Sequence, residues 1–412
     1  MPKLAVEKKV HIQATGEKGV SVSSILYTDP AAVKLLESVA AGDRRIIRRS
    51  EDNGRTWRVV DDQPMTSRSS QSGQTTLRTA PEYFYDDRKN RLLALFVQSQ
   101  RNPSVVEWED NLALTTRRLY YQISSDGGET WSDALPIIQR GEGFDEKRWL
   151  PGVEYGMNSA YADLPSGLIL DDGTMLFPCN AFRSFGPSCV RAPEGGWWLE
   201  VGCLRGTWKG DLDAIDWELG QVISIGRDKS DRGLDEPSIV ALNGSRLLMV
   251  ARAGKPRGGS FPGVKFYALS DDGGGSWSEP KVLTYEDGSY VYSPSSLVRL
   301  FRWHAAGGIY LVTNIFEDDR AWIGQNCDPR YPLQIAQIDE DSLCVKKATV
   351  TVIEDRQSDQ PKTIRFSNFA ILQDRQTRVV RLFMTASPGN AGWQKGDGVP
   401  RDAFEYVISF RK

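Results

Sequence analysis

The chain has 412 residues, a formal net charge of −3 and a pI near 5.7, so it lacks the basic footprint of a nucleic-acid binder. Its five cysteines, without CxxC spacing, and its two histidines argue against a disulfide framework, a zinc site or a histidine-rich metal centre. No long apolar stretch follows Met1, so neither a signal peptide nor a membrane span is expected.

The first segment, His11 to Tyr27, alternates like a strand pair about the turn Gly16-Glu17-Lys18-Gly19. Next, Thr28-Asp29-Pro30 opens the stretch 31–41, where Val33, Leu36 and Val39 share one helical face and Gly42 follows; this spacing predicts a short capped helix. An octet of pattern Ser-x-Asp-x-Gly-x-Thr/Ser-Trp then occurs three times, at 50–57, 124–131 and 270–277. Asp bonds its own backbone in a tight turn, Gly supplies a positive φ, and Trp closes an apolar layer behind it, so each octet reads as a strand-to-strand turn. The second gap is nearly twice the first, which implies a repeat architecture with one degenerate copy between the second and third octets.

A second repeat consists of a short strand, a polar turn and an apolar run. Its copies are 81–98 about Asp86, 164–180 about Asp171, 236–252 about Asn243, 293–314 about Ala305 and 368–387 about Asp374. With the N-terminal pair, these hairpins predict an all-β, six-bladed β-propeller of four-stranded antiparallel sheets. Seven blades is the alternative, because 131–207 is poorly patterned. Residues 1–412 are expected to form a single propeller domain, with the N-terminal strand closing the last blade, and to be a monomer. The stretch 183–198 reads as a surface loop.

In a hairpin, the start of the first strand and the end of the second lie together, away from the turn. Blade by blade this gathers one rim: Arg78, Tyr161, Glu236, Tyr292 and Arg365 from strand starts, and Arg101, Asn180 or Arg183, Arg252 and Asn314 from strand ends. Arginine grips a carboxylate through paired hydrogen bonds, so converging arginines imply an acidic sugar as partner. The plainer alternative is that each arginine pairs with an Asp or Glu of a neighbouring blade.

The octets, together with Asp235-Glu236-Pro237 and the run 247–252 ending in Arg252, resemble the sialidase (neuraminidase) superfamily of Asp-box propellers. Residues 77–81, Leu-Arg-Thr-Ala-Pro, are similar to the family's first-arginine motif, Arg101 and Asp110 precede the second box as the acid/base Asp does, and 292–298 resembles the segment bearing the nucleophilic Tyr. The resemblance implies an exo-acting glycosidase: Tyr292 attacks the anomeric carbon after Glu236 takes its proton, and Asp110 protonates the leaving oxygen. Together with the rim argument it gives Arg78, Arg101, Arg252, Asn180 and Asn314 as substrate-binding residues. No arginine lies between Trp277 and Tyr292, where the family places its third, and Arg330 or Arg365 could substitute. No cofactor is expected, and a structural cation is compatible. The same look is shared by enzymes that release L-rhamnose from glucuronate by hydrolysis or β-elimination, the latter drawing on Tyr292 or His304 with Arg252. A propeller that binds glycans without cleaving them is the third reading.

Overall fold

The first two Asp boxes close through the same set of hydrogen bonds, and the third shares its Ser-to-Asp bond. In the first, the Ser50 hydroxyl donates to Asp52 Oδ1 at 2.8 Å, and the Thr56 backbone N–H and hydroxyl donate to the two Asp52 oxygens, both at 2.8 Å. The second repeats this with Ser124, Asp126 and Thr130, and in the third Ser270 donates to Asp272 at 2.8 Å. Gly54 and Gly128 hold φ of 79° and 90°, values that residues with a Cβ rarely adopt.

In the computed structural model the residues described are 3–68, 75–101, 117–182, 198–242, 246–256, 260–319, 328–389 and 392–411. The fold is a six-bladed β-propeller built of small antiparallel sheets. By packing, the chain divides into two compact units, one of residues 23–223 with 273–277, the other of 1–22, 224–272 and 278–412.

The first unit carries three sheets. One contains Val20–Tyr27, Leu35–Ala41, Arg44–Ser50 and Arg58–Pro64. Glu82–Asp86, Arg91–Arg101, Arg117–Ser124 and Leu135–Pro136 form the second, joined by Thr75–Arg78. Ser159–Ala162, Met175–Phe182, Glu200–Trp208 and Ile215–Leu219 form the third. Its core gathers Phe84, Leu95, Leu119, Trp149, Phe177 and Trp217. The degenerate octet is the turn between Glu200–Trp208 and Ile215–Leu219, where Leu212 takes the left-handed conformation (φ 60°) and Trp217 is buried.

The second unit carries the other three. Leu234–Ala241, Leu247–Ala253, Lys265–Ser270 and Lys281–Val282 make one. Arg299–Trp303, Gly308–Asn314, Leu333–Ile338 and Thr351–Glu354 make the next. In the last, Phe369–Gln373, Val380–Met384 and Ala403–Phe410 are completed by Leu4–Ile12, paired from Leu4↔Phe410 onward. Leu311, Val312, Ile335, Leu382 and Tyr406 lie in its two cores.

Two sequence expectations are corrected here. Residues 35–41 form a strand, in register from Leu35↔Ser50 to Ala41↔Arg44, where a helix was predicted. Leu35 to Val39 are all buried, so the run packs on both faces, and helical spacing in so short an apolar segment carries no weight. Asp29 instead caps a turn, accepting from the N–H groups of Val33 and Lys34. The N-terminal pair is likewise no hairpin: Leu4–Ile12 and Val20–Tyr27 lie in different sheets.

Hydrogen bonds from the Thr56 backbone and hydroxyl hold the Asp52 carboxyl down at about 2. Because the folded value lies below the ordinary one, this stabilisation is complete above about pH 4 and is lost as pH falls through about 2. Asp52→Ala should lower Tm by several degrees at neutral pH, and the difference from the native chain should close in scans between about pH 4 and pH 2. A difference that stays constant would show that the ionised carboxylate is not what anchors the turn.

Candidate active site

The sheet containing Leu234–Ala241 and Leu247–Ala253 is regular at Asp235↔Arg252 and again at Ser238↔Val250, with a shift of register between. Pro237 has no N–H for the ladder, so the strand bulges there, and Glu236 takes φ 43°, a left-handed value for a residue that is not glycine. The hairpin end brings three charges together. Arg252 donates through Nε and Nη2 to Asp235 Oδ2 at 3.0 and 2.6 Å, and its Nη2 lies 3.0 Å from Glu236 Oε1. Arg252 and Asp235 are buried, whereas the Glu236 side chain is 33% exposed.

A second chain segment meets this cluster. Tyr292 bridges between Val264 and Phe316, and the Ser293 hydroxyl donates to the Asn314 carbonyl at 2.7 Å. The Ser296 N–H bonds the Pro294 carbonyl at 2.8 Å, a tight turn centred on Ser295. The Ser295 carbonyl accepts from Arg252 Nη1 at 3.0 Å and from Arg330 Nη2 at 3.1 Å. Sharing one oxygen keeps those two guanidinium nitrogens within about 6 Å of each other. Arg330 also donates to the Ser367 hydroxyl at 3.0 Å. Arg365, bridged to Arg330 through the backbone, grips Asp328 in a two-pronged pair at 2.5 and 2.6 Å.

The hairpin argument therefore places Glu236 with Arg252, and the substitutes Arg330 and Arg365 join that neighbourhood. Arg252 and Arg365 are also paired with carboxylates, those of Arg252 lying in its own hairpin and not in a neighbouring blade as the plainer alternative supposed. Asn314 is committed to the backbone, its Nδ2 donating to the Pro332 and Phe366 carbonyls. Tyr292 packs edge-on against Tyr290. Asp235, Lys265 and the Ser295 carbonyl were not singled out from sequence. Asp235 could have been, since it stands beside Glu236 in the motif, but a backbone carbonyl leaves no mark in the letters.

In the other unit, Arg78 lies with its guanidinium 3.5 Å above the Phe96 ring and donates to Gln122 at 2.5 Å. No carboxylate among the described residues pairs with it, and burial, reinforced by Arg45, pushes it down to about 10. Asn180 is buried opposite Tyr161. The Tyr161 hydroxyl donates to Glu82 at 2.9 Å, a contact that sequence reasoning missed, and both residues line a cavity of about 360 Å³ with Thr79, Leu95 and Phe96. Arg101 pairs with Thr75 through its backbone. Asp110, Arg183 and the rest of the expected loop up to 197 lie outside the described residues. His304 sits exposed in the turn after Arg299–Trp303.

Residues 122–133 match the family model described as BNR/Asp-box repeat. A sequence comparison with curated proteins finds no match. Among solved structures, a Hadza microbial sialidase superposes with a TM-score of 0.58 at 13% identity, over 97% of this chain and 68% of its own. Trypanosoma rangeli sialidase gives a TM-score of 0.58 at 11% identity, over 98% of this chain and 59% of its own. A GH93 α-L-arabinofuranosidase of Fusarium graminearum, in complex with arabinobiose, gives 0.53 at 14% identity and matches over 98% and 97% of the two chains. The chain thus has the fold of the sialidase-superfamily Asp-box propellers. It is a fold on which glycoside hydrolases are built.

Removing one partner of a buried ion pair leaves the other uncompensated, at a cost on the order of 3–5 kcal/mol. Arg252→Ala should therefore shift urea unfolding to a clearly lower midpoint, and Asp235→Ala added to it should recover part of the loss. An unchanged midpoint in the single variant would mean that the pair contributes nothing to stability.

Proposed function

We propose that the chain is an exo-acting glycoside hydrolase cleaving a terminal linkage of an acidic glycan, with Glu236 as its catalytic carboxylate and Arg252 and Arg330 as the clamp for the sugar carboxylate. The supporting observation is Glu236 itself: a left-handed residue at a bulge, its carboxylate accessible and 3.0 Å from the Arg252 guanidinium. Non-glycine residues held in such conformations cluster at active sites. Asp235 holds Arg252 from the buried side, which fixes the guanidinium beside Glu236.

In this reading Tyr292 is the nucleophile. Its hydroxyl proton passes to Glu236, its oxygen bonds the anomeric carbon as the glycosidic C–O bond breaks, and Asp110 gives a proton to the leaving oxygen. Water then cleaves the Tyr–sugar bond by the reverse proton traffic. A neutral tyrosine avoids the repulsion that a carboxylate nucleophile meets from an acidic sugar. The exposed turn position of His304 gives no support to elimination.

A second reading, exo-hydrolysis of a neutral pentose glycan, draws on two observations. Arg252 and Arg365 already hold carboxylates, and the arabinofuranosidase matches this chain over nearly its whole length.

Incubation with 3′-sialyllactose and, separately, with arabino-oligosaccharide, following released sugar, decides between them. Sialic acid release supports the acidic-glycan reading, arabinose release alone replaces it with the second, and silence on both counts against hydrolysis of either class. On the active substrate, Glu236→Gln should lower kcat by roughly 10²–10⁴. Tyr292→Phe should abolish turnover; if it remains active while Glu236→Gln is dead, Glu236 acts on the sugar directly.

A further inference from the structure

Lys265 is fully buried, yet no catalytic step uses it. Its Nζ donates to the Pro294 carbonyl at 2.7 Å and to the Ser296 carbonyl at 2.8 Å. Between those two acceptors stands Ser295, whose own carbonyl receives Arg252 and Arg330. Three consecutive carbonyl oxygens are thus held by three cationic side chains, the outer two by Lys265 and the middle one by the arginines. The Ser296-to-Pro294 hydrogen bond folds this stretch into a one-residue turn, and a turn pinned at both flanking oxygens has its central carbonyl aimed by the pins. A buried ammonium is costly unless its donors are satisfied. Methionine would fill the same volume without that cost.

We infer that Lys265 is a positioning residue: by gripping the carbonyls on either side of Ser295, it aims the Ser295 carbonyl so that Arg252 and Arg330 converge to bind one anionic group. This rests on the proposed clamp role of the two arginines. It adds that their spacing is set by a third cation, which touches neither substrate nor reacting atoms.

The test is Lys265→Met, which keeps the apolar stem and removes the donors. With 3′-sialyllactose, KM should rise about tenfold, the effect of losing one hydrogen bond's worth of binding, while kcat stays within about threefold of native. A crystal structure of the variant should show that the Ser295 carbonyl no longer accepts from both arginines. A merely structural lysine would lower Tm but leave KM and the arginine contacts as they are, and that result overturns the inference. If the native chain does not act on 3′-sialyllactose, the acidic-glycan reading fails while the crystal structure still decides the role of Lys265. Should Lys265→Met not fold, Lys265→Gln, which retains an amide donor, is put through the same two measurements.

Discussion

The candidate site depends on the antiparallel pairing of the first two strands in each sheet. That pairing fixes which residues share the end remote from the hairpin turn, and at Asp235↔Arg252 it sets a carboxylate opposite a guanidinium before any tertiary packing is considered. The bulge that follows is what separates the roles of two adjacent acids. Asp235 stays in register and buried against Arg252, while Glu236, thrown out of register beside Pro237, keeps contact with the same guanidinium and reaches the surface. One hairpin end therefore supplies both a fixed anchor and an accessible acid.

Charge accounting explains why this arrangement is tolerated. Ionised groups leave water at a high cost unless they are paired and fully hydrogen-bonded. Arg252 is paired with two carboxylates and a carbonyl, Arg365 with the two oxygens of Asp328, and Lys265 with two backbone oxygens. Arg78 differs in kind: its described partners are a neutral amide and an aromatic face, and burial lowers its proton affinity. The charged side chains thus fall into those matched by the protein's own acids and those held by neutral groups, a distinction that composition does not contain.

Much of this was legible in the letters because it follows from local rules. The Asp-box hydrogen bonds need only Ser, Asp and Thr at fixed offsets, and the hairpins about Asp86, Asp171 and Asp374 announce themselves by polar turns between apolar runs. The pairing of Glu236 with Arg252 followed from hairpin geometry alone. What failed was decided at long range. Leu35 to Val39 could be seen as a strand only if Arg44–Ser50 were known to lie beside it, with Arg48 neutralising the buried Glu37. The Tyr161 to Glu82 contact joins two sheets, and the segment at Ser295 works through carbonyl oxygens, which every residue possesses.

The pairing of Leu4–Ile12 with Ala403–Phe410 has a kinetic side. Among the described strand pairings it has the greatest sequence separation, and its sheet stays one strand short until Leu4–Ile12 and Ala403–Phe410 meet. The loop-closure entropy of that step is met late. During synthesis, the strands from Val20 onward can find their neighbours as they emerge, whereas Leu4–Ile12 must wait until Ala403–Phe410 has been made. Until the two strands pair, the edge of Ala403–Phe410 that accepts Leu4–Ile12 is open, and an unpaired edge is where a strand from a second chain can add. That pairing makes Ala403–Phe410 an interior strand and leaves Leu4–Ile12 as the edge of the sheet.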